Sequence, residues 1–203
     1  MVMRDDTPYR ERPERERAHE KRCVGELLRH ASPVDTVWES FGGLGDVAVQ
    51  LTDRFPQAHV IACDLDQQCV DMYNDRMRRE GRRAMASGRD ARLGPPDLAG
   101  RWAASLDFNR FTVMDLVTDR APWKRDLLAA VLQAENPPQW VHLTDSARRY
   151  LHLNWARYGC ADGELATYVE RLDGVLRDRH GWHVANYVGY HSATYLLLER
   201  NEA

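Results

Sequence analysis

Four cysteines in 203 residues, none of them in a C-x-x-C pair, leave the sequence without a disulfide framework or a zinc-ribbon spacing. Cys23, Cys63, Cys69 and Cys160 are therefore expected to be reduced thiols, which predicts a cytoplasmic protein. No apolar run approaches the roughly eighteen residues that a membrane helix needs, so no membrane partner is expected. The N-terminus, charged from Arg4 onward, does not follow the basic, apolar, small-residue order of a signal peptide. One-sided charge is missing too: a net charge of −3 argues against coating nucleic acid by bulk charge. A G-x-S-x-G elbow, a P-loop and short internal repeats are all absent. His142, His152, His183 and His191 do not fall at metal-ligand spacing, and core or surface positions are expected for them. His191, in a turn near the sheet end, is the choice if a general base is needed.

What the chain does have is one organised stretch. Asp35-Thr-Val-Trp-Glu39 is a short apolar strand, and Phe41 to Gly45 is a glycine-rich turn. A helical pattern (Val47, Ala48, Leu51) runs on to Pro56, and a second strand, from His59, stops at Asp64. That is a βαβ unit of about thirty residues with an acid roughly twenty residues after the glycines, the layout of a nucleotide site. Gly43 and Gly45 allow the backbone to approach a ligand closely, while Asp64 can accept hydrogen bonds from ribose hydroxyls. The loop is F-x-G-x-G rather than G-x-G-x-x-G, with Glu39 two residues before the Phe. An acid there repels a pyrophosphate but suits a ligand carrying an amino group, and S-adenosyl-L-methionine is such a ligand.

The rest of the chain fits a single domain over residues 23–203, preceded by a charged arm, 1–22, that reads as a solvated, flexible arm or an exposed helix. Residues 67–83 read as a helix. Segment 76–101, from Arg76 to Arg101, holds eight arginines and three acids and lies within an Arg-rich insertion, 76–110. It suits either a flexible solvated loop or a contact with a polyanion such as nucleic acid. Residues 111–115 are expected to be a third strand ending at Asp115, and 140–144 a fourth, with Asp145 and Ser146 at its end. Asn136-Pro137-Pro138-Gln139 precedes that strand and reads as a helix stop. A helix over 162–179 and strands at 184–188 and 194–198 complete a predominantly parallel three-layer α/β sheet.

Glu39-Ser-Phe-Gly-Gly-Leu-Gly45 resembles the E-P-F-x-G-x-G loop of the DNA adenine methylases. Asp64-Leu-Asp-Gln-Gln-Cys-Val-Asp-Met-Tyr-Asn74 is similar to their D-I-N-x-x-L-I-x-L-Y-N stretch, and Gly189-Tyr-His-Ser-Ala-Thr-Tyr195 to their G-Y-x-S-x-x-Y segment. The resemblance implies a Rossmann-like class I methyltransferase fold. It also implies S-adenosyl-L-methionine contacts at Glu39, Phe41, Gly43, Gly45, Asp64, Leu65 and Asp115, the last beside the adenine. The family's D-P-P-Y motif has no full counterpart. At the end of the expected fourth strand Asp145 survives, followed by Ser146, and Tyr150 or Trp155 would have to replace the aromatic that stacks on a flipped base. The expected function is methyl transfer to an amine of a nucleic-acid base or nucleotide, with Asp145 and Ser146 in the catalytic role. A catalytically silent binding or adaptor protein and a small-metabolite methyltransferase are the alternatives.

Overall fold

The computed structural model describes residues 14–107, 113–114, 122–145, 164–190 and 193–201. Helix α1 (Glu14–Leu27) leads through a 3-10 turn (Leu28–His30) into β1 (Thr36–Glu39). Helix α2 (Asp46–Arg54), β2 (His59–Cys63), α3 (Gln67–Arg79), β3 (Ala84–Ser87) and β4 (Trp102–Leu106) follow. Helix α4 (Pro122–Leu132), β5 (Trp140–Asp145), α5 (Leu165–His180), β6 (Trp182–Tyr190) and β7 (Ala193–Arg200) close the chain. The seven described strands form one sheet in the order β3-β2-β1-β4-β5-β7-β6. All pairings from β3 through β5 are parallel, and β7 runs antiparallel between β5 and β6.

The central parallel strands β1, β4 and β5 are short and buried on both faces, which is why they read as apolar runs rather than alternations. One face carries Val24 and Leu27 of α1, Val47 and Leu51 of α2, and Tyr73 and Met77 of α3 against Val37, Ala103 and Trp140. The other carries Leu127, Leu128 and Val131 of α4 and Tyr168, Leu172 and Leu176 of α5 against Trp38, Leu106, Val141 and Leu143. Trp140 stacks on Phe55 with ring centroids 5.4 Å apart, and its indole N–H donates to Ser32 O at 2.9 Å. Among the described residues no helix is long and apolar enough to cross a membrane.

The three-layer α/β expectation holds, and four local expectations are corrected. Residues 14–22, read as a solvated arm or an exposed helix, belong to α1, and Lys21 among them is buried. The helix beginning at Gln67 stops at Arg79, where three arginines in its last turn face the helix dipole favourably. The expected insertion contains two strands, β3 and β4, with only a 3-10 turn (Ala91–Leu93) between them. The expected third strand at 111–115 is not one: Val113 and Met114 are helical, and the other three residues lie outside the described residues. As a result 140–145 is the fifth strand, and Asp145 ends that strand rather than the fourth.

Candidate functional site

The chain leaves β1 toward β2 on one side and returns through β4 on the other, so strand order reverses beside β1. Open α/β sheets bind ligands outside the carboxyl ends of the strands at such a reversal. The groups there come from the ends of β1, β2, β3 and β4, with α1 closing over them.

The glycine loop follows β1. Gly45 caps α2 at φ 78° and Gly43 has φ 50°, both in the left-handed region. Their surroundings differ. A Cβ on Gly45 would stand 2.8 Å from Met77 Cε and 3.2 Å from Tyr73 Cδ2, whereas one on Gly43 would meet nothing within 4 Å. Gly45 is thus a packing glycine, and Gly43 borders open space. The backbone N–H of Gly43 donates to Asp64 Oδ2 at 3.0 Å, and that of Asp66 donates to Asp64 Oδ1, also at 3.0 Å. Asp64 ties the loop after β1 to the loop after β2 and stays half-buried. Leu65 beside it is 67% exposed, and Phe41 is half-buried against the α4/α5 core.

Glu39 ends β1 at 1% exposure and accepts a hydrogen bond from Tyr73 Oη at 3.1 Å. Burial drives its carboxyl up to about 8, and the Tyr73 bond and the Lys21 charge only partly offset that. Across the sheet Glu39 is level with Ser105 of β4, and Ser105 is level with His142 of β5. Ser105 Oγ and His142 Nδ1 are bonded at 2.9 Å. His142 is fully buried, and burial lowers its imidazole to about 4, so it is neutral in the fold.

Asp107 stands directly after β4. Lys21 Nζ of α1 donates to its Oδ2 at 2.6 Å, across 86 residues of sequence. Burial alone would raise this carboxyl, yet it lies below the ordinary carboxylate range, chiefly because the Lys21 ammonium favours the charged form. Neither Lys21 nor Asp107 was singled out by sequence. The signal for Asp107 was present: Trp102-Ala-Ala-Ser-Leu-Asp107 is an apolar strand ended by an acid, the same form as the run to Asp64. It lacks β-branched residues and follows the arginine cluster, which drew the strand boundary further on.

The sequence-predicted residues divide accordingly. Glu39, Gly43, Gly45, Asp64 and Leu65 come together around the loop after β1. Asp115, Ser146, Tyr150, Trp155 and His191 lie outside the described residues. Asp145 is fully buried, and its Oδ2 accepts hydrogen bonds from Val113 N at 2.6 Å and Tyr168 Oη at 2.7 Å. The Asn136-Pro137-Pro138-Gln139 segment precedes β5, at the sheet edge away from the glycine loop. Asn136 there fastens neighbouring loops through Leu98 O and through the Trp102 indole N–H. Asp145→Ala strands two buried donors and is expected to cost about 3 kcal/mol, a melting decrease of roughly 6–12 °C for a chain of this size. An unchanged melting temperature would deny Asp145 this structural role.

The arginine-rich segment is spread over the fold. Arg82 pairs with Asp53 at 2.6 Å near the C-terminal end of α2, and Arg101 pairs with Asp35 ahead of β1. Both lie at the N-terminal edge of the sheet, as does Arg83 beside His59. Arg76 clamps Asp46, the first residue of α2, at 2.6 Å. Only Arg89 and Arg92 follow β3 toward the glycine loop, and Arg92 forks onto Asp90.

No protein-family model matches this chain, and no curated protein matches its sequence. Solved structures do. The 16S rRNA methylase RmtB superposes with a TM-score of 0.57 at 18% identity, over 92% of this chain and 64% of that one. An rRNA methylase from Escherichia coli gives 0.56 at 19%, over 92% and 66%. The fold is that of the class I methyltransferases. The plantazolicin methyltransferase BpumL, in complex with a monoazolic desmethylPZN analogue and SAH, shares it at a TM-score of 0.57 and 9% identity, over 93% and 86%. This methyltransferase-fold chain spans just under two thirds of the length of the two rRNA methylases.

Proposed function

We propose that this chain is an S-adenosyl-L-methionine-dependent methyltransferase whose acceptor is an amine of a nucleic-acid base or a nucleotide. The observation that carries the proposal is the arrangement around Gly43. A loop glycine facing open space is flanked by Asp64, whose carboxylate is pinned by the backbone, and by Glu39 at the end of the adjoining strand. These residues fit the cofactor: Asp64 is oriented to take ribose hydroxyls, and Glu39 offers the counter-charge for an amino group. The cofactor supplies an electrophilic methyl on its sulfonium. Orientation of donor and acceptor then accounts for most of the rate.

Asp107, at the strand-order reversal, takes the role that sequence assigned to Asp145. It accepts a hydrogen bond from the acceptor N–H and orients the nitrogen lone pair toward the donor. Calorimetric titration with S-adenosylmethionine and S-adenosylhomocysteine tests the cofactor, and no heat with either rejects it. Labelled-methyl transfer to RNA, DNA, nucleotides and small amines tests the acceptor. Asp107→Asn is expected to cut turnover at least about 100-fold while cofactor affinity stays nearly constant.

A second reading, transfer to a small metabolite, is favoured by the arginines. Arg82, Arg83 and Arg101 lie away from the glycine loop, and Arg76 is committed to Asp46. Label appearing only on small amines would select it.

A further inference from the structure

Lys21 reaches Asp107 from helix α1, 86 residues away in sequence. Its residue is 4% exposed, its ammonium contacts the Asp107 carboxylate at 2.6 Å, and it lies 5.6 Å from the centre of the Tyr195 ring. Anchoring α1 does not require it, since Val24, Leu27 and Leu28 are fully buried already. A buried ion pair is a poor way to gain stability, because desolvating both charges consumes most of their attraction. What the pair does achieve is local. It fixes one carboxylate oxygen and leaves the other, Oδ1, buried and without a hydrogen bond among the described residues.

Resting on the methyltransferase reading above, we propose that Lys21 is a positioning residue for Asp107: helix α1 carries an ammonium into the site that fixes the charge and orientation of the carboxylate to which the acceptor N–H is presented. Oδ2 is engaged by Lys21, so Oδ1 is the oxygen left to take the acceptor N–H. The groups around the pair are Glu39 on β1, His142 and Thr144 on β5, and Lys124 on α4. Burial holds His142 neutral and brings the Lys124 amine down to about 8. Among the described residues, Lys21 is the cation in contact with the carboxylate. Without it, burial acts on the Asp107 carboxyl with no cation beside it, pushing the group toward its neutral form and releasing the oxygen that Lys21 holds, so the acceptor N–H loses an oriented, charged partner.

The test compares wild type with Lys21→Met, Lys21→Arg, Asp107→Asn and the Lys21→Met/Asp107→Asn pair. Carboxyl carbon NMR of the ligand-free protein, with Asp107 assigned by its loss in Asp107→Asn, reads the titration directly. Wild type should titrate below the ordinary carboxylate range. Lys21→Met should raise the midpoint by at least about one pH unit, and Lys21→Arg should restore most of it. In turnover, Lys21→Met should lose about 100-fold in kcat near neutral pH with little change in acceptor KM. The double variant should be no slower than Asp107→Asn alone, because Lys21 acts through that carboxylate. An Asp107 midpoint unmoved in Lys21→Met, or a double variant that loses the product of both single effects, overturns the proposal. If Lys21→Met does not fold, wild type still decides: a carboxyl titrating at or above the ordinary range refutes it. A wild type that binds neither cofactor form brings down the methyltransferase reading, while the titration still judges the Lys21–Asp107 coupling.

Discussion

Gly45→Val is expected to lower stability by about 3–5 kcal/mol, from the cost of the left-handed backbone for a residue with a Cβ and from overpacking. For a chain of this size that is a fall of roughly 10 °C or more in melting temperature. Gly45 N–H closes the turn onto Gly42 O at 2.9 Å, and Gly45 O accepts the first α2 bond from Val49 N at 3.0 Å. The residue therefore cannot relax to negative φ without opening both. A methyl group at 2.8 Å from Met77 Cε can displace that flexible end, but the Tyr73 ring edge at 3.2 Å is held by the hydroxyl bond to Glu39. Valine adds two further methyls against that ring. Gly43→Ala provides the contrast. Its Cβ points into open space, so only the backbone term of about 1–2 kcal/mol applies. The protein should fold, yet the new methyl occupies the surface along which a nucleoside ligand would lie, and affinity for S-adenosylhomocysteine should fall at least about tenfold. Equal melting decreases for the two variants would contradict this division of labour between the glycines.

The same contrast shows what the sequence could and could not express. The βαβ unit from Thr36 to Cys63 was legible because its information is local: apolar strand, glycines at positive φ, amphipathic helix, second strand, acid. The packing partners of that loop were not. Tyr73, which supports both Gly45 and Glu39, reads in sequence as one more apolar residue of α3. Asp107 was hidden behind strands whose alanine-rich sequences, Ala84-Met-Ala-Ser87 and Trp102-Ala-Ala-Ser-Leu106, carry little strand propensity. They are strands because their neighbours supply the hydrogen bonds, with β3 pairing to β2 and β4 lying between β1 and β5. Lys21 lay in a segment whose alternating charges resemble a solvated arm, and only the folded contact across 86 residues distinguishes it from its neighbours. The arginine cluster misled for a related reason. Composition gathered residues that the βαβ path then separates, sending Arg82 and Arg101 to one edge of the sheet and Arg89 and Arg92 toward the other.

Glu39 makes the clearest prediction for pH. Its carboxyl titrates near pH 8 in the fold and near 4.5 in an unfolded chain, chiefly because burial disfavours the charge. Between those values the native state holds a proton that the unfolded state has released, so stability falls as pH rises from about 5 to 8. The integrated loss is on the order of 4 kcal/mol. His142 acts at the other end. Neutral in the fold down to about 4, it withdraws its contribution as pH falls below about 6.5. The groups facing Glu39 are Tyr73, Lys21, Asp107 and Asp46, and the Lys21 cation is outweighed by burial and the two acids. Glu39→Gln should therefore flatten the alkaline arm, matching wild type near pH 5 and exceeding it by a few kcal/mol near pH 8 in urea unfolding. Parallel profiles for the two proteins would show that Glu39 is ionised throughout. The same proton couples to ligand. A cationic amine brought against Glu39 favours the carboxylate, so S-adenosylmethionine binding at pH 7 should release close to one proton. That release appears as a binding heat that scales with the ionisation enthalpy of the buffer, and Glu39→Gln should abolish the scaling. Heat independent of buffer in wild type would mean that the amino group lies elsewhere.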